Sequence, residues 1–507
     1  MIRHTIAFVM LFLLTAPAFS FGSSIKTSSV IEQPDVEVLG EYKGFWYAIG
    51  FDKPGNLHKP PAYKIMKYAS GFPSSKLSVL YPSFGEKTLY LRSVISNNKI
   101  SVYYGRCEKR DEVASLIDER EGRKQIANIL RQDYDPVTLE PLGEPVMVFD
   151  EADDYFACSG IEIAQSEDGS KTAMLVKCYY SHQYYKVYVT DNVTGQTWDR
   201  KIAFKDLKEY LCFNSVNVGN DGRVVVAAKV RYDVISIHTS SKDKHPDKYY
   251  FFSVEKGDKE PAQLIMESPV SGKFIDKPMV TMLNNGQTAI AYCYFGSDKN
   301  KLVKGISVGR YDAGFGGGMH DVELDPQFIA QASEFNGKKD KGLPFLALRQ
   351  LLPLEDGGCM VIAEHNREST KPGDSIMQVE RHYVLTYRFD GNMALKDSRF
   401  LPKKQSSERV GYALSTCAYR KGNDVFLFHN DDWESDDDHD TNLMCTRLPA
   451  NGGNPETTKI VHTSDDFLTS MQNVYPGADG KVLLAEWKLV DYEDVSKLVK
   501  LLEVTLK

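Results

Sequence analysis

Eight tight turns, spread along almost the whole of a 507-residue chain, constrain its fold more than any other feature. The clearest lie within 217–230 (NVGNDGRVVVAAKV), 280–295 (VTMLNNGQTAIAYCYF), 351–365 (LLPLEDGGCMVIAEH) and 474–487 (VYPGADGKVLLAEW). Weaker copies centre on Lys43-Gly44, Asn97-Asn98, Asp168-Gly169 and Gly422-Asn423. Asn, Asp and Gly tolerate positive φ, and the flanking runs are β-branched or alternating, so each copy predicts a β-hairpin.

Taking Lys43, Asn97, Asp168, Asp221, Asn285, Asp356, Gly422 and Asp479 as markers, the steps are 54, 71, 53, 64, 71, 66 and 57 residues. Such steps hold four short strands plus loops, more than the roughly 40 to 45 residues of a WD-type blade. Two further strand-like runs follow the hairpins, as in 184–190 with 200–204 and in 248–255 with 262–268. The pattern is strands A, B, C and D, eight times over. In this the chain resembles the β-propellers, and the resemblance extends over nearly all of 21–507. It implies an all-β fold, a single ring of eight four-stranded blades, with seven as the alternative if the Lys43 unit is absorbed elsewhere. The last unit offers only three strands, and 25–32 has the β-branched content to supply the fourth, so an N-terminal strand is expected to close the ring.

Residues 1–20 stand apart from that pattern. Arg3 precedes an apolar run at 6–14 that is too short to span a bilayer, and Ala18 and Ser20 suit a cleavage site. A signal peptide is therefore predicted, with a secreted or periplasmic, monomeric product. The formal net charge of −8, without basic runs, speaks against nucleic acid and anionic lipid as partners.

The A–B turns are short throughout, whereas the B–C connections include 52–61, 106–123, 233–247, 366–381 and 431–441. In propellers the B–C and D–A connections share one face, and binding residues favour loops on a rigid scaffold, so function is expected there. At the B-strand ends on that face stand Arg106, His182, Arg231, His365 with Asn366, and His429 with Asn430. These could ring a pocket for an anionic or sugar-like ligand, or be ordinary strand-end polar residues.

In the acidic run 431–440, Asp436, Asp438 and Asp440 alternate like the first ligands of a calcium loop. The sixth position is Thr441 and the twelfth Arg447, which rules out an EF-hand. The run reads as a solvated loop, with Ca²⁺ as a weakly held cation at most and otherwise no cofactor. The stretch 191–198 looks like the Asp-box of sialidase-type propellers at Gly195, Thr197 and Trp198, but has Asp191 and Val193 at the two defining positions. Cys158 and Cys178 lie symmetrically about Asp168 and are a candidate disulfide, while Cys293, Cys359, Cys417 and Cys445 read as buried thiols.

Two functions follow. One is a non-catalytic propeller that binds a protein or glycan at the cell envelope. The other is a carbohydrate-active hydrolase or lyase drawing on His182, Tyr184, His365 and the B-strand arginines. Fold alone does not choose between them.

Overall fold

The computed structural model describes residues 23–28, 31–32, 35–51, 62–72, 76–81, 88–96, 98–107, 125–150, 156–178, 184–203, 210–231, 247–296, 302–336, 342–370, 377–407, 414–431, 441–463, 467–471, 473–490 and 494–506. All eight hairpins are present, and each opens a blade of antiparallel strands. Blade 1 is Asp35–Tyr42, Phe45–Phe51, Tyr63–Ala69 and Lys76–Tyr81, and blades 2 to 7 follow within 88–150, 156–203, 210–267, 274–323, 346–407 and 416–463. The A strands of neighbouring blades pack against one another around a central channel. The chain is an eight-bladed β-propeller, and the seven-bladed alternative falls.

Blade 8 is built from both ends of the chain. Its A strand is split into Phe467–Thr469 and Tyr475–Pro476, its B strand is Lys481–Val490 and its C strand is Asp494–Leu506. The fourth strand is Ser23–Thr27, in register with Ile25 opposite Val504, and Ile31–Glu32 continues along the same partner. Pairing the two ends removes a free sheet edge.

Hydrophobic burial is organised by the gaps between blades. Eight clusters fill the eight interfaces in turn. Tyr47, Ile65 and Val102 join blades 1 and 2, and Val94, Met174 and Tyr184 join blades 2 and 3. Leu175, Val226 and Tyr250 join 3 and 4, and Phe251, Met282 and Ile290 join 4 and 5. Interfaces 5–6, 6–7 and 7–8 centre on Ile306 with Leu385, Ile362 with Leu427, and Phe428 with Leu484. The ring closes where Trp46, Ala48 and Met66 of blade 1 meet Leu483 and Leu501 of blade 8. B strands sit inside this packing on both sides, which is why Thr288–Phe295 and Cys359–His365 are buried at every residue.

In the A–B turns a glycine is left-handed, joined in blades 1 and 8 by Lys43 and Asp479 at φ of 50° and 58°. Gly286 and Gly357 have φ of 79° and 80°, and neither Asn220 nor Asn285 has positive φ. The Asn and Asp side chains instead accept backbone N–H groups, as Asn285 does from Gln287 at 3.0 Å. The C–D turns carry a second repeat. Asp135, Asp191, Asp312 and Asp390 each accept two backbone N–H groups of their own turn, so the Asp-box-like stretch at Asp191 is one copy of a wider Asx-turn habit.

Two elements depart from the expected pattern. A helix, α1 (Pro326–Asn336), interrupts the connection between blades 5 and 6 and packs Phe335 against Tyr383 and Phe400. The 366–381 connection is largely strand, since Arg367–Thr370 pairs with Met377–Phe389 and extends blade 6 as a hairpin. The other long connections lie wholly or mostly outside the described residues. Among the described residues, no helix is long and apolar enough to cross a membrane.

Candidate functional site

Blade 6 concentrates the polar groups that the loop face has among the described residues. Its B strand, Cys359–His365, ends in Glu364, His365 and then Asn366, beside the start of the A strand at Phe345. The Asn366 N–H donates to the Phe345 carbonyl at 2.7 Å and fixes the two ends together.

Below the surface lies a fully committed ionic cluster. Glu364 accepts from Lys403 Nζ at 2.6 Å, Thr416 Oγ1 at 2.9 Å and Ser415 Oγ at 2.7 Å. Lys403 also donates to Gln405 Oε1 at 2.7 Å and the Leu414 carbonyl at 2.8 Å, and burial draws its pKa below the usual lysine value against the pull of Glu364. Gln405 donates on to the Asn430 carbonyl, and Asn430 Nδ2 to the Thr469 carbonyl at 2.9 Å. The belt thus links blades 6, 7 and 8. Both oxygens of Glu364 are engaged, as a buried carboxylate requires.

Above this belt the side chains are aromatic. His365 is 0% exposed, stacked on His382 at 5.2 Å and tilted against Tyr383 at 5.0 Å. Neither ring nitrogen of His365 has a hydrogen-bond partner among the described residues. Burial first, then the positive charges of its neighbours, push its pKa down to about 3, so the ring is neutral at physiological pH. His382 is half-buried, with Nε2 3.5 Å from Glu380 Oε2; desolvation lowers its pKa and Glu380 opposes that. His429, half-buried on blade 7, is likewise lowered to about 3 by burial, with the Lys403 charge assisting. A neutral imidazole this far below pH 7 is a poor general acid and a weak base.

The solvent-facing layer is Phe345 and Arg367. Phe345 is 51% exposed and holds φ of 58°. Its ring stands perpendicular to that of His365, with centroids 6.1 Å apart, and the Arg367 guanidinium stands 5.8 Å from the Phe345 ring centroid. Arg367 reaches Glu380 at 3.2 Å while its side chain stays 47% exposed. Arg381, buried alongside, contacts Glu368 at 3.4 Å and lies 3.9 Å from Glu364.

The residues expected at the B-strand ends are thus distributed unevenly. His365, Asn366 and His429 gather around the blade 6–7 interior, where the Lys403 charge reaches both histidines. Arg106, exposed, and Arg231 end the B strands of blades 2 and 4. His182 and the Asp436, Asp438 and Asp440 run lie outside the described residues, as do the side chains of Cys158 and Cys178. The ladder sets Cys178 opposite Phe156, with an irregularity before Ile161. The thiols of Cys293, Cys359, Cys417 and Cys445 are free and buried as expected, those of Cys359 and Cys417 pushed up to about 12. Among the described residues no group of three His, Cys, Asp or Glu is placed to hold a metal.

Phe345, Arg367 and Lys403 were not anticipated. Lys403 sits on the D strand and meets Glu364 only through tertiary folding, whereas the REST–MQVE alternation around 371–376 was a readable sign of a hairpin bearing Arg367.

No protein-family model and no curated protein matches the chain. Among solved structures it is similar to polysaccharide lyase Uly1, at 10% identity over 84% of this chain and 94% of that one, with a TM-score of 0.44. It is similar also to the WD40 domain of SCAP from fission yeast, at 7% identity over 96% and 98% and a TM-score of 0.40. A third is the β-propeller domain of the Trilobed protease from Pyrococcus furiosus, at 10% identity over 94% and 99% and a TM-score of 0.34.

Proposed function

We propose that this chain is an exported, non-catalytic propeller that binds a glycan on its loop face, with Phe345 and Arg367 as the anchor. The observation that carries this reading is the backbone of Phe345. A bulky side chain in the left-handed region costs roughly 1–2 kcal/mol, and such outliers persist where surrounding structure enforces them, often at ligand sites. Here the enforced conformation holds a flat aromatic ring half in water beside a guanidinium, a surface suited to the apolar face of a sugar ring and to its hydroxyl or acidic groups. The buried groups beneath are paired or neutral and serve as support.

A glycan array probed with the secreted protein, Phe345→Gly and Arg367→Ala tests it. Glycine favours φ of 58°, so Phe345→Gly is expected to hold or raise the melting temperature while losing at least tenfold in glycan affinity. Arg367→Ala, at an exposed site, is expected to leave stability within about 0.5 kcal/mol and to weaken binding. Variants that bind like the parent would refute the assignment.

One observation favours a second reading, a carbohydrate-active hydrolase or lyase. His382 is only half-buried and stands next to Glu380, beneath the same platform. Release of reducing ends or of an unsaturated product from the glycans bound on the array, lost in His382→Ala, would favour it.

A further inference from the structure

The opposite mouth of the channel holds a second polar site. A cavity of about 790 Å³ opens among the A–B turns, within the size range of small-molecule pockets. Asn217, Asn220, Thr281 and Asp221 are among the residues that line it. Across it runs a crossbar. Arg420 of blade 7 donates to Glu167 Oε1 of blade 3, the blade directly opposite in a ring of eight. Arg420 is itself anchored by donation from Nη1 to the Pro353 carbonyl at 2.9 Å. Asn284 of blade 5, turned so that its amide meets both partners, donates to Glu167 Oε2 at 2.7 Å and accepts from Arg420 Nη1 at 3.1 Å.

The two oxygens of one carboxylate are therefore held separately, one by a guanidinium and one by an amide, in a room larger than the carboxylate needs. The holders are fixed: the Arg420 side chain is 15% exposed and tied to backbone. The occupant is the more exposed partner, its Glu167 side chain 46% exposed on a turn. An ion pair with one exposed partner contributes little to stability, on the order of 0–1 kcal/mol, so its displacement costs little.

We infer that the turn-face mouth is a binding site for a small hydroxylated carboxylate, and that Glu167 occupies it as an internal substitute. An incoming carboxylate takes the place of the Glu167 carboxylate on Arg420 and Asn284, its hydroxyl groups face Asn217, Asn220 and Thr281, and Glu167 swings into solvent. Binding at this mouth is independent of the glycan platform on the other face. In the parent protein the tethered Glu167 competes at high effective concentration, so affinity is held down.

Titration calorimetry with D-gluconate, and with sorbitol as its uncharged counterpart, tests the site. Glu167→Ala is expected to bind gluconate at least tenfold more tightly than the parent and to ignore sorbitol. Adding Arg420→Ala to that variant is expected to abolish gluconate binding. Thermal melting checks the fold of each variant. If the Arg420→Ala form does not fold, Arg420→Lys, which keeps charge but loses the planar fork, should weaken gluconate at least fivefold. The inference is overturned if Glu167→Ala binds gluconate no better than the parent, if it binds sorbitol equally, or if affinity survives the change at Arg420.

Discussion

The imidazole of His365 has no contact with water, and at a pKa of about 3 it stays neutral where an unfolded histidine, near 6.5, would already carry a proton. Above pH 6.5 neither state takes that proton and the shift is silent. Between 6.5 and about 3 the unfolded chain binds one proton that the folded chain refuses, so stability falls as pH falls, by about 1.4 kcal/mol per unit for this one group. Replacing His365 with Phe removes the site from both states. The variant should show a shallower loss of unfolding free energy from pH 6.5 to 4 than the parent, by about one bound proton, when both are followed by urea denaturation; identical slopes would contradict the burial argument. That His365 is interior was only partly legible. CMVIAEH has no polar alternation before its end, the mark of a strand covered on both faces, yet strand ends ordinarily emerge into solvent. What keeps this one covered is remote in sequence: Phe345, His382 and Tyr383.

At the scale of elements, the short-range signals carried well and the long-range ones did not. The A–B hairpins could be read because turn chemistry is local, and the closing strand could be read because a blade of three strands leaves an edge. Helix α1 also had local marks: Asp325 accepts from the Gln327 N–H at 2.8 Å, Pro326 opens the helix, and Phe328, Ile329, Ala332 and Phe335 fall on one face. The four-strand repeat has no place for it, because it falls between the D strand of one blade and the A strand of the next. The Lys403–Glu364 contact had no local mark at all, since it joins a D strand to a B strand across 39 residues. The closing strand gives a direct test. Ser23–Thr27 pairs five residues with the C-terminal strand, and Ile25 packs onto the blade 7–8 core. At about 1 kcal/mol of net hydrogen bonding per residue, removing 23–32 should cost on the order of 5 kcal/mol and bare the edge of Asp494–Leu506. Calorimetry and light scattering on the shortened chain should show a lowered transition and association; an unchanged, monomeric transition would mean the ring closes without this strand.

The molecule as a whole is a ring whose two faces differ in kind: tight, self-capped turns around a carboxylate-filled mouth on one side, and blade 6 with its aromatic platform on the other. That arrangement depends on the ring staying shut, and the junction of blades 8 and 1 has a polar clasp in addition to its apolar core. Glu503, buried on the C-terminal strand, accepts at one oxygen from Trp46 Nε1 at 2.6 Å, Ser70 Oγ at 2.8 Å and the Gly71 N–H at 3.1 Å. All three donors belong to blade 1 or the turn after its third strand, so a single carboxylate ties the first blade to the last. Glu503→Gln keeps an acceptor of the same shape and should cost little, under about 1 kcal/mol. Glu503→Leu keeps the volume but leaves the buried donors without an acceptor, at about 1–3 kcal/mol for each that cannot reach water. Because the loss is confined to the closing junction, it should speed unfolding and promote the same association as removal of the N-terminal strand. Chemical denaturation of the two variants side by side provides the comparison. A Leu variant as stable as the Gln variant would show that the apolar contact of Trp46, Leu483 and Leu501 closes the ring alone, with the carboxylate a bystander.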